Sequence, residues 1–201
     1  MKHRMSRAAT AFAAIGVSAA LLLTGCSSDP LAEQYREGSG KNYIAGDGTI
    51  AEFAPENREA PVEFSGETVD GLEFDSAEQD GKVMVVNFWY AACAPCRVEA
   101  PILQEVHEQF GEDVAFVGVN VRDQAGTAAP FEEKFGITYP SILDTDEGRV
   151  QLAFAGKVPP AAVPTTLVLD REGRVAARIL GQLKDASILS TIVTGLQGEG
   201  A

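Results

Sequence analysis

The chain has 201 residues, room for one ordinary domain and a short appendage, and its 45% hydrophobic, 22% charged composition is that of a globular protein. The formal net charge is −13, and from residue 26 onward 29 acidic residues stand against 13 basic ones, a net of −16. Such a surface repels the phosphates of nucleic acid and anionic lipid headgroups, which argues against a nucleic-acid partner.

The first residues carry an export pattern. Lys2, His3, Arg4 and Arg7 precede a charge-free run of small and apolar residues from Ala8 to Leu23. That run is too short and too alanine-rich for a permanent span, which needs about 20 strongly apolar residues. It closes on Leu23-Thr24-Gly25-Cys26 and is followed by Ser27, Ser28, Asp29 and Pro30. This resembles the lipobox of bacterial lipoproteins. The resemblance implies that residues 1–25 are a signal peptide and that Cys26 is lipidated. The mature chain would then be held on the extracytoplasmic face of the cytoplasmic membrane by paired acyl chains. The alternative is an ordinary secretory signal or an anchor helix with an incidental Cys26.

Residues 26–60 are polar and turn-rich, as in Glu37-Gly38-Ser39-Gly40 and Gly46-Asp47-Gly48, and are expected to form a flexible tether. Such a linker spans about 30–35 Å root-mean-square. The exception would be Tyr43 to Phe53, which could pack on the domain. The redox domain itself is expected over 61–201. Val62–Phe64 and Leu72–Phe74 alternate around turn residues and predict an N-terminal β-hairpin extension. Val83–Trp89 is nearly all apolar, as for a strand buried on both faces. A helix follows from Ala94 to Phe110, with Val98, Ile102, Val106 and Phe110 four apart and Gly111 as its stop.

Val114–Val119 predicts a second buried strand. Next comes a short helix starting at Pro130, with Phe131 and Phe135 on one face and Gly136 at its end. Tyr139–Leu143 reads as a strand and Val150–Ala155 as a short helix. Thr165–Leu169 and Val175–Leu180 form two strands about the turn Asp170-Arg171-Glu172-Gly173, and the last helix runs from Lys184 to Leu196. The sum is an α/β fold, a mixed β-sheet covered by helices on both faces.

With Cys26 assigned to the anchor, Cys93 and Cys96 are the only thiols left in an exported domain, where disulfides persist. A bridge three residues apart closes too small a loop to stabilise much, so chemistry is the better reason for it. Cys93-Ala94-Pro95-Cys96 lies where a buried strand gives way to a helix. The free N–H groups and partial positive charge of the first helical turn favour a thiolate on Cys93, making it the expected nucleophile, exposed to its partner. Cys96, one turn deeper, is then placed to resolve the mixed disulfide. Pro95 suits the first helical turn and stiffens the loop.

The stretch Val85-Val86-Asn87-Phe88-Trp89-Tyr90-Ala91-Ala92-Cys93-Ala94-Pro95-Cys96-Arg97-Val98-Glu99-Ala100-Pro101 resembles the active-site segment of the TlpA/ResA-like thioredoxin-fold thiol-disulfide oxidoreductases. Pro101 matches the helix-kinking proline of that fold, and Val163-Pro164-Thr165-Thr166 resembles its cis-proline loop. The resemblance covers about residues 60–198. It implies a thioredoxin-like fold, a cis bond before Pro164, and a substrate-facing surface built from Val163, Pro164, Trp89 and Pro95. It also implies that Glu99 tunes the thiols or shuttles a proton, against the alternative of a solvent-exposed acid near a helix start. No cofactor or metal is implied. Three departures stand out. Ala92 replaces the usual Trp before the first Cys, and Asn87 takes the place of the buried Asp of thioredoxins. The linker from Phe154 to Pro164 is also long.

The function expected from all this is reduction of disulfides in exported proteins, such as those of apocytochrome c, with recharging by a membrane electron carrier. The opposite direction, an oxidase of exported proteins, stays open. A copper chaperone of the Sco type needs a CxxxC pair and a distant His, whereas the only exported His is His107, expected half-buried on the Cys helix. A peroxidase lacks its Thr-x-x-Cys setting here, and a purely structural disulfide is the remaining alternative.

Overall fold

A computed structural model describes residues 43–44, 49–156 and 162–199. Seven strands form one mixed sheet: β1 (Tyr43–Ile44), β2 (Ile50–Glu52), β5 (Val83–Trp89), β6 (Val114–Asn120), β7 (Ser141–Leu143), β8 (Thr165–Leu169) and β9 (Val175–Leu180), in the order β1-β2-β9-β8-β5-β6-β7. β3 (Ser65–Glu67) and β4 (Glu73–Asp75) make a separate antiparallel hairpin, shifted from the expected runs but present. The helices are α1 (Ala94–Phe110), α2 (Ala125–Phe135), α3 (Arg149–Ala153) and α4 (Ala186–Gly198). Among the described residues, no helix is long and apolar enough to cross a membrane.

β5 is the spine because all seven of its residues are buried. Val83 and Val85 point to the face packed by Leu103 and Val106 of α1 and by Leu189, Ile192, Val193 and Leu196 of α4. Met84, Val86 and Phe88 point to the opposite face, where Phe64, Phe74 and Phe154 pack. That second face is therefore covered by the hairpin and the α3 region, with Phe154 meeting Phe64 and Phe88 edge-on at 5.3 and 5.7 Å. Burying this much aliphatic and aromatic surface at about 25 cal/mol per Å² is what holds the layers together.

Register then places the chemistry. β5 runs parallel to β6 and antiparallel to β8, with Phe88 opposite Thr165. The C-terminal end of β5, leading into Cys93, is thus beside the N-terminal end of β8, just after Pro164. Gly118 in β6 has no room for a Cβ, which would meet Trp89 Nε1 at 2.7 Å and collide with the Ser141 hydroxyl.

Two expected boundaries move. Pro130 lies inside α2 rather than at its start, because the helix already begins at Ala125 with small residues that carry no apolar periodicity. The folded domain also begins before Pro61. β2 pairs with β9, Ala51 and Ala54 are buried, and Arg58 is sealed by an ion-pair cluster. Its Nη1 donates to Asp170 at 3.1 Å and to Glu199 at 2.6 Å, Nη2 donates to Glu199 at 2.8 Å, and Nε donates to the Phe53 carbonyl at 2.9 Å. The stretch read as tether therefore contributes a strand paired on both sides and a buried guanidinium, because the polar look of residues 49–60 hides side chains that are paired rather than solvated. Cys26 and the signal segment lie outside the described residues.

Removing one member of a buried ion pair leaves its partners desolvated and costs about 3–5 kcal/mol. Asp170 keeps Arg174, whose Nε donates to it at 2.8 Å. Arg58→Ala is therefore expected at the low end, about 3 kcal/mol. Urea unfolding checks this, and a loss under about 1 kcal/mol would mean that the segment is only loosely attached.

Candidate active site

Cys93 is the N-cap of α1 and Pro95 occupies its first turn. The backbone N–H of Cys96 points at Cys93 Sγ from 3.2 Å, so the helix start directs a donor to the sulfur, as a thiolate there requires. The two cysteines are joined in a disulfide, with Cα atoms 5.3 Å apart. The Val163–Pro164 bond is cis, and Val163 packs against the same cluster as Cys93 and Cys96. The two segments that the sequence singled out, about 70 residues apart, therefore meet at one end of the sheet.

Two expectations need correction. Cys93 is not an exposed sulfur: the residue is only 3% accessible, and Cys96 1%. In the oxidised form the pair is roofed by partly buried Tyr90, Ala91 and Val163, which lie over an apolar floor. Trp89 forms that floor instead of a substrate-facing surface. It is buried and stacks on Phe131 with ring centroids 4.3 Å apart. The residues that do reach solvent around the disulfide are Ala92, Ala94, Arg97 and, in part, Pro95.

Glu99 is not a solvated helix-start acid but 1% accessible. Its Oε1 accepts from Asn87 Nδ2 at 2.9 Å and its Oε2 from the Leu183 backbone N–H at 2.8 Å. Burial raises its pKa to about 7, against the lowering effect of those two donors, with Leu183 the larger. Asn87 also donates to Thr166 Oγ1 at 3.0 Å. A single amide thus ties the thiol-bearing helix to the strand that follows Pro164.

Sequence reasoning missed a second support. The Asp123 carboxylate accepts from the Ala91 backbone N–H at 2.6 Å and from Asn120 Nδ2 at 2.9 Å. Asn120 Oδ1 in turn accepts the backbone N–H groups of Arg122 and Asp123. This clamp holds the loop two residues before Cys93, and Arg122 covers the Tyr90 ring at 4.2 Å. Asn-x-x-Asp after a strand is an Asx-turn pattern, so a signal for it was present in the sequence. His107 is half-buried against Phe116 and Tyr139, and burial lowers its pKa. Among the described residues, no group of three or more His, Cys, Asp or Glu is placed to hold a metal ion.

A redox-active pair at a strand-to-helix junction, faced by a cis-proline loop on a mixed sheet, defines a thioredoxin-fold protein. Residues 55–193 match the Redoxin family, and the chain belongs to that family, in its TlpA/ResA-like branch. It is 32% identical to the thiol-disulfide oxidoreductase ResA of Bacillus subtilis over 125 residues, 62% of this chain and 66% of that one. The chain thus spans a little under two thirds of that relative. A DsbF homologue from Corynebacterium diphtheriae superposes with a TM-score of 0.68 at 37% identity, covering 79% of this chain and 100% of that one. A secreted thiol-disulfide isomerase from Corynebacterium glutamicum superposes with a TM-score of 0.68 at 27% identity, covering 80% and 99%.

The raised pKa of Glu99 has a thermodynamic sign. Between about pH 4.5 and 7 the folded chain holds a proton there that the unfolded chain has lost. The group's contribution to stability is therefore complete below that window and is lost as the pH rises through 7, about 3 kcal/mol in all. In wild type, the carboxyl band of Glu99 should titrate near neutral pH by infrared difference spectroscopy against Glu99→Gln. The variant should also flatten the pH dependence of stability across the window. A midpoint below pH 5 would contradict this assignment.

Proposed function

We propose that the chain is an extracytoplasmic thiol-disulfide oxidoreductase that works through Cys93 and Cys96 on exported proteins. The observation that carries the reading is the disulfide capping α1 beside the cis Val163–Pro164 bond. The reduced Cys93 thiolate attacks a partner disulfide and one partner sulfur leaves. Cys96 then attacks Cys93 Sγ, which closes the Cys93–Cys96 bond and frees the second partner sulfur. Two electrons pass from the dithiol to the partner. Glu99, buried one helical turn past Cys96 and titrating near neutral, holds the proton affinity of the inner thiol up. Val163, Pro164 and Pro95 form the platform on which the extended partner strand lies. The roof over Cys93 makes access selective: Ala92, in place of a bulky Trp, leaves the approach from that side open.

The finer reading is a reductant. Lipidated Cys26 would hold the domain at the extracytoplasmic face of the membrane, a membrane electron carrier would recharge it, and its substrates would be disulfides such as those of apocytochrome c. A carboxyl beside the thiols supports this direction, because it disfavours the thiolate, withdraws stabilisation from the reduced form and so makes the pair a stronger reductant. The likeness to a protein named as a secreted thiol-disulfide isomerase favours the second reading, shuffling or forming disulfides in exported proteins.

The redox potential of the Cys93–Cys96 pair separates the two. A reductant requires a value well below about −200 mV, and a value near about −120 mV identifies an oxidase. Cys96→Ser should stall as a Cys93 mixed disulfide with the physiological partner in the membrane fraction, and Cys26→Ser should release the protein from that fraction. Recovery of no mixed disulfide, with Cys93 intact, would remove the exchange reading.

A further inference from the structure

Cys96 is 1% accessible, so the proton it must lose before attacking Cys93 has no direct way to water. Behind it lies a small cavity, lined by Cys96, Asn87, Trp89, Phe131, Tyr139 and Ser141 among others. Its volume, about 10 Å³ for the centre of a water molecule, suits one water. Such a water needs polar partners, and the wall supplies them. Ser141 is 2% accessible, and its hydroxyl lines this cavity without a hydrogen-bond partner in the protein. The packing that pins the hydroxyl there is tight, since Gly118 exists to make room for it beside Trp89.

On the far side of Ser141 stands Glu132 of α2. One of its carboxylate oxygens, Oε1, is sealed from solvent and also unpartnered, although the residue itself is half-exposed. The Ser141 hydroxyl lies close enough to Glu132 to lower its proton affinity as a hydrogen-bond donor, so the two sealed polar atoms face each other directly. Burial, the largest influence, raises the pKa of Glu132 above the ordinary carboxylate range, and the nearby charge of Asp70 adds to this. Tyr139 feels the charge of both Glu99 and Glu132, so both acids lie near this buried wall. The titratable groups facing Glu132 are thus Asp70 from the hairpin turn and Tyr139 from the approach to β7.

We propose that Glu132, acting through Ser141 and a water in this cavity, is the outer end of a proton path that serves Cys96. The path rests on the reading of Cys96 as the resolving thiol. In the resolving step Cys96 Sγ–H gives its proton to the water, the water gives one to the Ser141 hydroxyl as that hydroxyl gives its own to Glu132, and the exposed side of Glu132 returns it to solvent. The Cys96 sulfur forms a bond to Cys93 Sγ as the bond from Cys93 to the partner sulfur breaks, and the partner leaves as a thiolate. The dithiol is oxidised, the partner disulfide is reduced, and the only net release is the proton. Glu132 touches neither sulfur, so it is a positioning residue for this proton and not a nucleophile.

The test is stopped-flow reaction of the fully reduced protein with 5,5′-dithiobis(2-nitrobenzoate). Attack by Cys93 releases one thionitrobenzoate, and resolution by Cys96 releases the second. Glu132→Gln and Ser141→Ala should each slow the second phase about tenfold near neutral pH, leaving the first phase and Tm unchanged, with Glu132→Asp restoring most of the rate. The second-phase pH profile should lose its Glu132 limb in Glu132→Gln. Unchanged second phases in both variants would overturn the proposal. So would slowing of both phases together with a lowered Tm, which marks a structural role. Cys96→Ser separates the underlying reading: it must abolish the second release altogether, and if it does not, the resolving assignment itself fails whatever Glu132 does.

Discussion

The organisation of this protein turns on one amide side chain. Asn87 sits in the fully buried central strand and donates from a single nitrogen to Glu99 on α1 and to Thr166 on β8. Glu99 passes the connection on to the backbone of Leu183, before α4. Four elements are thereby tied at one buried polar node, beneath the point where the two cysteines meet the cis-proline loop. A buried carboxyl is costly unless its acceptors are used, and here each oxygen has its donor. The node locks the helix that carries the thiols to the strand that carries the platform, so neither can slide without unsatisfying a buried group.

That arrangement also answers the departure at position 87. Where thioredoxins bury an acid in the strand, this chain buries an amide there and moves the acid onto the helix. An Asn does not titrate, but it orients the buried carboxyl that does, near neutral pH. The carboxyl, desolvated and near neutral in its titration, is held with its two oxygens committed, and a small cavity is lined by its partner Asn87 together with Cys96. Cys96, Asn87 and Ser141 all line that cavity, so the inner residue shares one small space with both polar side chains.

The cover over the disulfide has the same logic at larger scale. Trp89 and Phe131 make a floor, Tyr90 and Val163 a roof, and the Asn120–Asp123 clamp holds the loop between them by its backbone. Arg122 over Tyr90 and Arg97 near Phe135 put positive charge at the rim of a strongly acidic molecule.

The cis bond before Pro164 was legible only through the family resemblance, whereas the local grammar of the chain was enough for the mixed sheet with helices and for the Cys pair at a strand-to-helix junction. These follow from short-range rules: a run of apolar residues, a four-residue periodicity, a proline in a first turn. They act within one or two elements and so survive without knowledge of the rest. The early strand β2, buried Arg58, roofed Cys93 and floor-forming Trp89 did not follow, because burial depends on what arrives from elsewhere in the chain. Arg58 looks like a solvated base until Asp170 and Glu199, 112 and 141 residues away, close around it. Glu99 could be placed on a helix by its spacing, but only the packing of β5, β8 and the loop before α4 decided that it is dry, and dryness is what moves its pKa. The sequence by itself determined which residues can do the chemistry, since that is set by side-chain type and position along an element. The tertiary structure alone decided how much water each of them sees, since solvent exclusion is a property of the whole packed assembly.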